Sequence, residues 1–361
     1  MIRRFSLKNF RNYERADLDF APARNLFIGG NGQGKSNLLE AIFYLAILRS
    51  FRTGKISELV QIGRREFCLE AELIDGRKRD LFRSEYNCEN RRTLCINGER
   101  ISKSSEFIGE ITPIVFAPED IRIISGPSSQ RRSFLDMFIS MEQAGYMRSL
   151  YCYTQALKQR NAVLRKHLPR ASAEVFGAVM ARYGIEIAHA RMAAISELEQ
   201  EMLRLFEKYP LIQREFKLNY QFDYQLDFES YNRTLNDNYL REIKRGFTTL
   251  GPHLDEMVCL YDRKLARNFA SAGQTRLLAL FFKIASLNIL YRHVLENNSA
   301  NNLIILVDDV TGELDVAAKQ VFFEEISKAS QTFFTFTEMP DEECFANSAV
   351  FNICDGRVAA P

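Results

Sequence analysis

A glycine-rich loop near the start of the chain has the residues that bind nucleotide phosphates. The segment Gly29-Gly30-Asn31-Gly32-Gln33-Gly34-Lys35-Ser36 matches the pattern G-x-x-x-x-G-K-[ST]. In this pattern backbone N–H groups close around phosphate oxygens, the lysine neutralises the β- and γ-phosphates, and the hydroxyl ligates Mg²⁺. We therefore predict a nucleotide site formed by residues 29–36 and by Asn37, which follows them.

A second segment supplies the carboxylates that the loop lacks. Residues 303–307 form an apolar run, and Asp308 and Asp309 follow it directly. A short apolar run of this kind is typical of a buried strand. Acids at its end are suited to hold the metal that accompanies a bound nucleotide.

The elements around the loop have the order that the motif requires. Asn25-Leu26-Phe27-Ile28 predicts a short strand that enters the loop, and residues 36–45 have the apolar spacing of a helix. Strand, glycine loop and helix in succession are the setting in which this motif binds phosphate.

A third segment, Ser271-Ala272-Gly273-Gln274, opens an amphipathic stretch over residues 275–291. By itself it predicts only a capped helix whose N-terminus attracts an anion. Between a phosphate loop and a carboxylate strand it resembles the signature motif of ABC ATPases, and Gly312-Glu313-Leu314-Asp315 resembles their D-loop. This resemblance implies that Ser271, Gly273 and Gln274 close on the γ-phosphate of a second subunit, in an ATP-dependent homodimer.

Composition limits the class of protein. The chain has 361 residues, of which 46% are hydrophobic, and a net charge of +2. We find no apolar run near the roughly 20 residues of a membrane span and no signal peptide, which indicates a soluble cytoplasmic protein. The seven cysteines include no C-x-x-C pair, so we expect reduced thiols and no zinc site.

Basic residues are concentrated in the first part of the chain. Residues 1–135 hold about six more basic than acidic side chains, with adjacent arginines at four places. Such an excess suits a polyanion, although exposed charge is equally typical of an ordinary surface. Among these residues we assign Arg64 and Arg65 as a candidate DNA contact.

The predicted secondary structure changes along the chain. Strand-like segments dominate the first part, with a hairpin signal at Asn97-Gly98, and helical spacing then appears over residues 130–141, 146–166 and 173–209. We predict an α/β protein with an ABC/SMC-type ATPase head, formed by residues 1–119 and 246–361. A mainly helical arm over residues 120–245 is inserted into this head.

Motifs in head and arm together resemble the RecF family of SMC-like ABC ATPases. They occur in the family's order and cover nearly the whole chain. They are Leu7-Lys8-Asn9-Phe10-Arg11-Asn12-Tyr13, the phosphate loop, Ser50-Phe51-Arg52-Thr53, Phe116-Ala117-Pro118-Glu119-Asp120, Arg131-Arg132-Ser133-Phe134-Leu135-Asp136, Leu157-Lys158-Gln159-Arg160-Asn161-Ala162, Gly251-Pro252-His253 and Asp308-Asp309.

The resemblance implies a function. RecF proteins bind ATP with Mg²⁺, dimerise around it, and associate with single-stranded, gapped and double-stranded DNA. They work with RecR and RecO to load RecA, and slow hydrolysis resets the dimer. Lys35 and the loop would hold the phosphates, Ser36 and Asp308 would ligate Mg²⁺, and Asp309 would orient the attacking water. The two acids could instead share the metal.

Some features depart from the pattern. Residues 332–337 contain no switch histidine, no Q-loop glutamine lies near residues 116–120, and Leu254 replaces a basic residue after His253. Thr335 or Thr337 could contact the γ-phosphate instead. Two other classes remain: a nuclease of the overcoming-lysogenization type, which would need an appended metal domain, and an SMC tether, which would need long heptad segments.

Overall fold

The computed structural model describes residues 1–76, 78–89, 91–143, 145–210, 212, 214–296, 303–310, 312, 314–340 and 345–359. By internal contacts the chain divides into two units. We call Met1–Glu119 with Leu290–Pro361 the terminal unit, and Asp120–Ile289 the central unit. Of the predicted residues, Glu313 of the D-loop and Cys344 lie outside the described part.

The elements follow one another in three runs along the chain. The first run comprises β1 (Ile2–Phe10), β2 (Tyr13–Asp19), β3 (Arg24–Ile28), α1 (Lys35–Ile47), β4 (Glu66–Asp75), β5 (Lys78–Asn87), β6 (Arg91–Ile96), β7 (Glu99–Arg100), α2 (Ser104–Phe107) and β8 (Thr112–Phe116). The second comprises α3 (Arg122–Ser125), α4 (Ser128–Glu142), α5 (Tyr146–Arg165), α6 (Arg170–Lys208), β9 (Phe216–Gln221), α7 (Phe228–Asp237), α8 (Tyr239–Arg245), β10 (Glu256–Tyr261), β11 (Lys264–Leu265), α9 (Ala266–Phe269) and α10 (Ala272–Glu296). The third comprises β12 (Leu303–Asp308), α11 (Val316–Ile326), β13 (Gln331–Phe336), β14 (Ala349–Cys354) and β15 (Arg357–Ala359).

Two six-stranded sheets form the terminal unit. One is antiparallel with the order β2-β1-β4-β5-β6-β7, and the other has the order β15-β14-β3-β13-β12-β8. In the second sheet β14, β3, β13, β12 and β8 run parallel to one another. The carboxyl ends of β3 and β12 therefore meet at one edge of this sheet, separated only by β13. Ligands of open parallel sheets bind at such an edge.

Burial explains the composition of the elements near this edge. All six residues of β12 are buried, which accounts for the apolar run that the sequence shows there. α1 contacts β8 and β12 of the parallel sheet and also β1 and β4 of the antiparallel sheet. A helix covered on both sides is apolar around most of its circumference, and nearly all of α1 is buried.

The central unit is mainly helical. The three predicted helices are present as α4, α5 and α6, with bounds within three residues of those expected. The short link between α5 and α6 makes them antiparallel neighbours, and they pack along each other. β9, β10 and β11 form a small antiparallel sheet in the same unit. The sequence did not predict α7 and α8, which are only 10 and 7 residues long.

The unit boundaries differ in part from the predicted domain limits. The division after Glu119 coincides with the expected start of the arm. Residues 246–289, which we predict as part of the ATPase head, cluster instead with the central unit. The reason is that β10 pairs with β9 and packs on α4. That residues 246–289 act as part of the ATPase head remains a prediction.

Helix α10 extends at both ends beyond the amphipathic stretch predicted over residues 275–291. By length and composition it is the one described helix that could cross a membrane. However, 72% of its most apolar window is buried inside the protein. Burial to this extent is typical of a helix in the core of a folded protein.

Several family motifs hold the central unit together. Arg160 forms a buried ion pair with Glu242, at 2.5 Å, and donates to the Thr248 hydroxyl at 2.7 Å. Arg191 pairs with Asp136 at 2.8 Å and donates to the Pro252 carbonyl oxygen at 2.6 Å. Buried charges are tolerated only when they are paired in this way. The motif residues Asp136, Arg160 and Pro252 therefore serve the fold.

His253 is also a structural residue. Its Nδ1 lies 2.7 Å from the Tyr153 hydroxyl and its Nε2 lies 3.2 Å from the Thr248 carbonyl oxygen. Burial lowers the pKa of the His253 imidazole to about 4. A neutral ring satisfies both contacts, because it donates from Nε2 and accepts at Nδ1.

Candidate nucleotide site

The phosphate loop connects β3 to α1 at the carboxyl edge of the parallel sheet. Gly32 and Gly34 have φ values of +78° and +113°. These backbone conformations are unfavourable for residues that have a Cβ atom. The Lys35 ammonium group donates to the carbonyl oxygens of Gly29, at 2.5 Å, and Gly30, at 2.9 Å. The lysine thus lies along the loop whose N–H groups are expected to face a phosphate.

Three side chains from distant parts of the chain meet beside the loop. The Ser36 hydroxyl donates to Asp308 Oδ1 at 2.7 Å, and the Thr335 hydroxyl donates to the same oxygen at 2.9 Å. The parallel register places Thr335 opposite Asp308 on the neighbouring strand. Burial raises the pKa of the Asp308 carboxyl, and the two hydrogen bonds partly offset this effect. Ser36 and Asp308, which the sequence predicts as metal ligands, therefore lie in contact.

The two adjacent carboxylates have different environments. Asp308 is only 7% exposed, whereas Asp309 is exposed and lies just beyond the end of β12. Asp309 has a φ of +52°, in the left-handed region that aspartate tolerates better than most residues. One acid is thus fixed by two hydroxyl groups, and the other is open to solvent.

Two turns, one at Asn12-Tyr13 and one at Gly356, donate hydrogen bonds to carbonyl oxygens of the phosphate loop. We call these contacts the clamp. Asn12 Nδ2 donates to the Gln33 carbonyl oxygen at 3.1 Å, and the Tyr13 hydroxyl donates to the Gly34 carbonyl oxygen at 3.0 Å. From the far end of the chain, the Gly356 N–H donates to the same Gln33 oxygen at 3.0 Å. None of these three residues was predicted to belong to the site, although Asn12 and Tyr13 lie in the first of the motifs that resemble the RecF family.

Helix α1, which follows the loop, carries a completely buried carboxylate, Glu40. Arg11 binds it with two N–H groups, each at 2.8 Å, and the Ser50 hydroxyl also donates to it. Arg52 lies 3.6 Å from Glu40 and donates to the Asn37 side-chain oxygen at 2.7 Å. A buried carboxylate requires such partners. In this structure Arg11 and Arg52 therefore support the helix that follows the loop.

The signature segment caps α10 in the central unit. The Ser271 N–H donates to Gln274 Oε1 at 2.8 Å, and the Gln274 N–H donates to Ser271 Oγ at 3.2 Å. This reciprocal pair is a capping box. Ser271 and Gly273 are exposed, and Gln274 is half-buried. In the predicted D-loop, Asp315 caps α11 by accepting from the Ala318 N–H at 2.8 Å.

The predicted DNA residues lie on the surface of the terminal unit. Arg64 forms an ion pair of 3.1 Å with Glu14, and both side chains are at least half exposed. Pairs of this kind contribute little to stability. Arg65 is also exposed. By contrast Arg131, one of the other adjacent arginines, is buried against Glu256 and is not a surface cation.

Known proteins match this chain over nearly its whole length. The model of the "RecF/RecN/SMC N terminal domain" family matches residues 1–351. The protein named "DNA replication and repair protein RecF" from Leptospira interrogans is 32% identical over 94% of this chain and 92% of its own length. The protein of the same name from Streptococcus agalactiae is also 32% identical, over 99% of this chain and 97% of its own length.

Solved structures agree with these sequence matches. A structure described as the recombination mediator protein RecF-ATP in the RecFOR pathway has a TM-score of 0.89 and 29% identity, and the match covers 100% of this chain and 97% of that one. An SMC head bound to a domain of ScpA, with a TM-score of 0.55 and 16% identity, shares the fold alone; the match covers 100% of this chain and 97% of that one. Fold, full-length identity and the motifs of the phosphate loop and carboxylate strand lead to one conclusion: the chain belongs to the RecF family.

Proposed function

We propose that this protein is an ATP-dependent DNA-binding protein of recombinational repair and replication-fork maintenance. The observation that carries the proposal is the contact of Ser36, from the phosphate loop, with Asp308, from the carboxylate strand. Only the folded sheet brings these two residues together. The names of the relatives, DNA replication and repair protein and RecF-ATP, support the same reading.

The residues present fit ATP with Mg²⁺. Ser36 Oγ and Asp308 Oδ1 offer oxygen atoms only, and oxygen ligands are what Mg²⁺ prefers. Lys35 would hold the β- and γ-phosphates together with the backbone N–H groups of residues 30–34. The metal, when bound, neutralises charge that develops on the phosphoryl group.

Asp309 is the residue we propose to orient the attacking water. It is the exposed member of the acid pair, whereas Asp308 is held by Ser36 and Thr335. Because the Thr335 hydroxyl donates to Asp308, we propose that Thr335 acts through Asp308. A short carboxylate in this role is consistent with a weak ATPase whose hydrolysis resets a dimer. In the alternative, both acids share Mg²⁺, and the Mg²⁺ dependence of turnover by Asp309→Asn distinguishes the two roles.

The signature segment provides the dimer contact of this proposal. Ser271 and Gly273 are exposed at the N-terminus of α10, where an anion is stabilised by free N–H groups and the helix dipole. The γ-phosphate bound by a second subunit would dock there. The closed dimer would bind single-stranded, gapped and double-stranded DNA in the cytoplasm and act with RecR and RecO to load RecA.

Sedimentation with and without ATP and gapped DNA tests this function directly. We expect a larger species with ATP and a still larger one when gapped DNA is added. An unchanged sedimentation coefficient in all conditions would contradict the ATP-driven dimer.

The proposed DNA contact makes a further prediction. Reversing charge in the double variant Arg64→Glu, Arg65→Glu should lower DNA affinity about equally for all sequences, because phosphate contacts carry no sequence information. Binding by the wild-type protein should weaken steeply between low and physiological salt and should improve with ATP. Fluorescence anisotropy with labelled gapped DNA measures all three effects.

The double variant Arg214→Glu, Arg263→Glu is a matched control, since both arginines are exposed and form surface ion pairs in the central unit. It should bind DNA as the wild type does. Equal losses in the two variants would show only a general charge effect. Affinity that ignored both salt and ATP would contradict the mechanism itself.

The clamp behind the phosphate loop predicts an effect on nucleotide affinity. Asn12→Ala removes the hydrogen bonds to the Gln33 carbonyl oxygen and to Asn37 Nδ2. Because each such bond contributes about 1 kcal/mol, we expect ATP affinity to fall by up to roughly 30-fold. Isothermal titration with ATP measures the change.

Asn352→Ala is the control, since Asn352 is exposed on β14 and the substitution leaves the clamp intact. Gly356→Val should act more strongly, because Gly356 has a φ of +68° and an added Cβ would collide with the Asn12 backbone. If Asn12→Ala bound ATP as tightly as Asn352→Ala, the clamp would have no role in nucleotide binding.

A further inference from the structure

An apolar groove lies on the surface of the central unit, and none of the residues assigned to the nucleotide site lines it. It runs between the antiparallel helices α5 and α6 and has a volume of 1030 Å³. Tyr151 and Ala156 of α5, Phe176 and Val179 of α6, and Phe228 at the start of α7 line it. Tyr151 is 65% exposed and Phe228 is 41% exposed. Exposed apolar surface of this kind is typical of an interaction site.

The charge of the groove restricts what can bind there. Arg182 is the single charged residue in its described lining, and no carboxylate lines it. Arg182 is exposed and forms no ion pair with any residue that the structure describes. Helix α5, which forms one wall, contains no acidic residue, and its basic residues other than the buried Arg160 are Arg148, Lys158 and Arg165. A binding partner would therefore gain from carboxylates placed beside its apolar contacts.

The shape of the groove indicates the kind of segment that fits. Its lining residues recur at helical spacing on α5 (Tyr151, Gln155 and Gln159) and on α6 (Phe176, Val179 and Tyr183), so the groove runs along both helices as a channel. Gln155 and Gln159 provide amide groups on the α5 side. An amphipathic helix presents apolar residues on one face and charged residues on the edges of that face. It would fill such a channel and place a carboxylate against Arg182.

We propose that the α5–α6 groove is a docking site for a protein partner that presents an acidic amphipathic helix. The apolar lining favours a protein over DNA, because a nucleic-acid backbone requires several cations and the described lining provides one. The proposal does not depend on nucleotide chemistry. Loss of ATP binding and loss of docking are therefore separate results.

A pair of synthetic peptides tests the proposal. Each has about 18 residues, or roughly five helical turns, with leucines on one face. One carries glutamates beside the leucines, and the other carries lysines at the same positions. Anisotropy of the labelled peptides should show saturable binding of the acidic peptide to the full-length protein, at least about tenfold tighter than binding of the basic peptide.

Substitutions then locate the binding site. Val179→Asp should reduce acidic-peptide affinity by at least about tenfold, since it places a carboxylate in the apolar channel. Arg182→Glu should reverse the preference, so that the basic peptide binds more tightly than the acidic one. ATP binding should be unchanged in both variants, and far-ultraviolet circular dichroism should show the helix content of the wild type, which confirms that the central unit is folded.

Two controls match these variants. Val175→Asp alters a valine that is 62% exposed on the same helix but does not line the groove, and Arg148→Glu reverses an exposed charge of α5 outside it. Both should bind the acidic peptide as the wild type does. Equal binding of the two peptides by the wild type, or unchanged binding by Val179→Asp, would overturn the proposal. If the groove variants instead lost affinity for gapped DNA while peptide binding stayed absent, the groove would be a DNA surface, and the proposal would again be wrong.

Discussion

Lys35→Ala should lose ATP binding and ATP-dependent dimerisation, whereas Asp309→Asn should keep ATP binding and accumulate the dimer. Lys35 provides the cation of the phosphate loop, and removing a charge of this kind costs roughly 100-fold or more in affinity. Asp309 is exposed beside the buried Asp308, and the loss of a group that positions water lowers turnover by about 10²–10⁴-fold. Titration calorimetry, phosphate release and sedimentation with ATP measure the three properties.

The same variants distinguish the two roles of the acid pair. If Asp309 shares Mg²⁺ with Asp308, Asp309→Asn should require a higher Mg²⁺ concentration and should recover turnover when Mg²⁺ is raised. If Asp309 orients water, turnover should stay low at every Mg²⁺ concentration. Rapid hydrolysis by Asp309→Asn at ordinary Mg²⁺ would exclude both roles.

Ser271→Arg should abolish ATP hydrolysis and dimerisation while each subunit still binds ATP. The substitution places a long cationic side chain at the exposed N-terminus of α10, where the partner's γ-phosphate is expected to dock. The phosphate loop and Asp308 lie in the terminal unit and remain unaltered. Steady-state hydrolysis, which we expect to fall to background, and nucleotide titration of the same preparation check the two parts of this result.

Loss of the helix cap is a separate effect that requires a control. Ser271 belongs to a capping box, and removing a cap costs about 1 kcal/mol of stability. Asp227→Ala removes the cap of α7 in the same unit and should cost a similar amount. We expect it to hydrolyse ATP normally. Normal turnover by Ser271→Arg would mean that the signature segment does not complete a partner's site.

Local patterns in the chain were sufficient to predict much of the fold. The apolar strand before Asp308, the helices α4 to α6 and the glycine loop all depend on neighbouring residues, because period and turn chemistry act over a few positions. The capping residues Ser271 and Gln274 are local in the same sense. For these features the structure agrees with what the residue order predicts.

Contacts between distant segments required the folded chain. Nothing in the spacing of residues shows that Gly356 donates to the carbonyl oxygen of Gln33, or that Thr335 shares an oxygen of Asp308 with Ser36. These contacts follow from the strand order β14-β3-β13-β12, which brings the ends of four separated segments to one edge.

The sequence also does not show which charged residues are buried and paired in the folded chain. Arg131 and Arg160 read as basic residues in the sequence, yet each is buried against a glutamate more than 80 positions away. Conversely, Arg182 has no local feature that distinguishes it from them, and among the residues that the structure describes it has no ion partner where it lines an apolar groove. Residue type and spacing determined the chemistry that the phosphate loop can perform. Only tertiary packing decided which cations remain available to a ligand, because burial and pairing depend on neighbours that are remote in the chain.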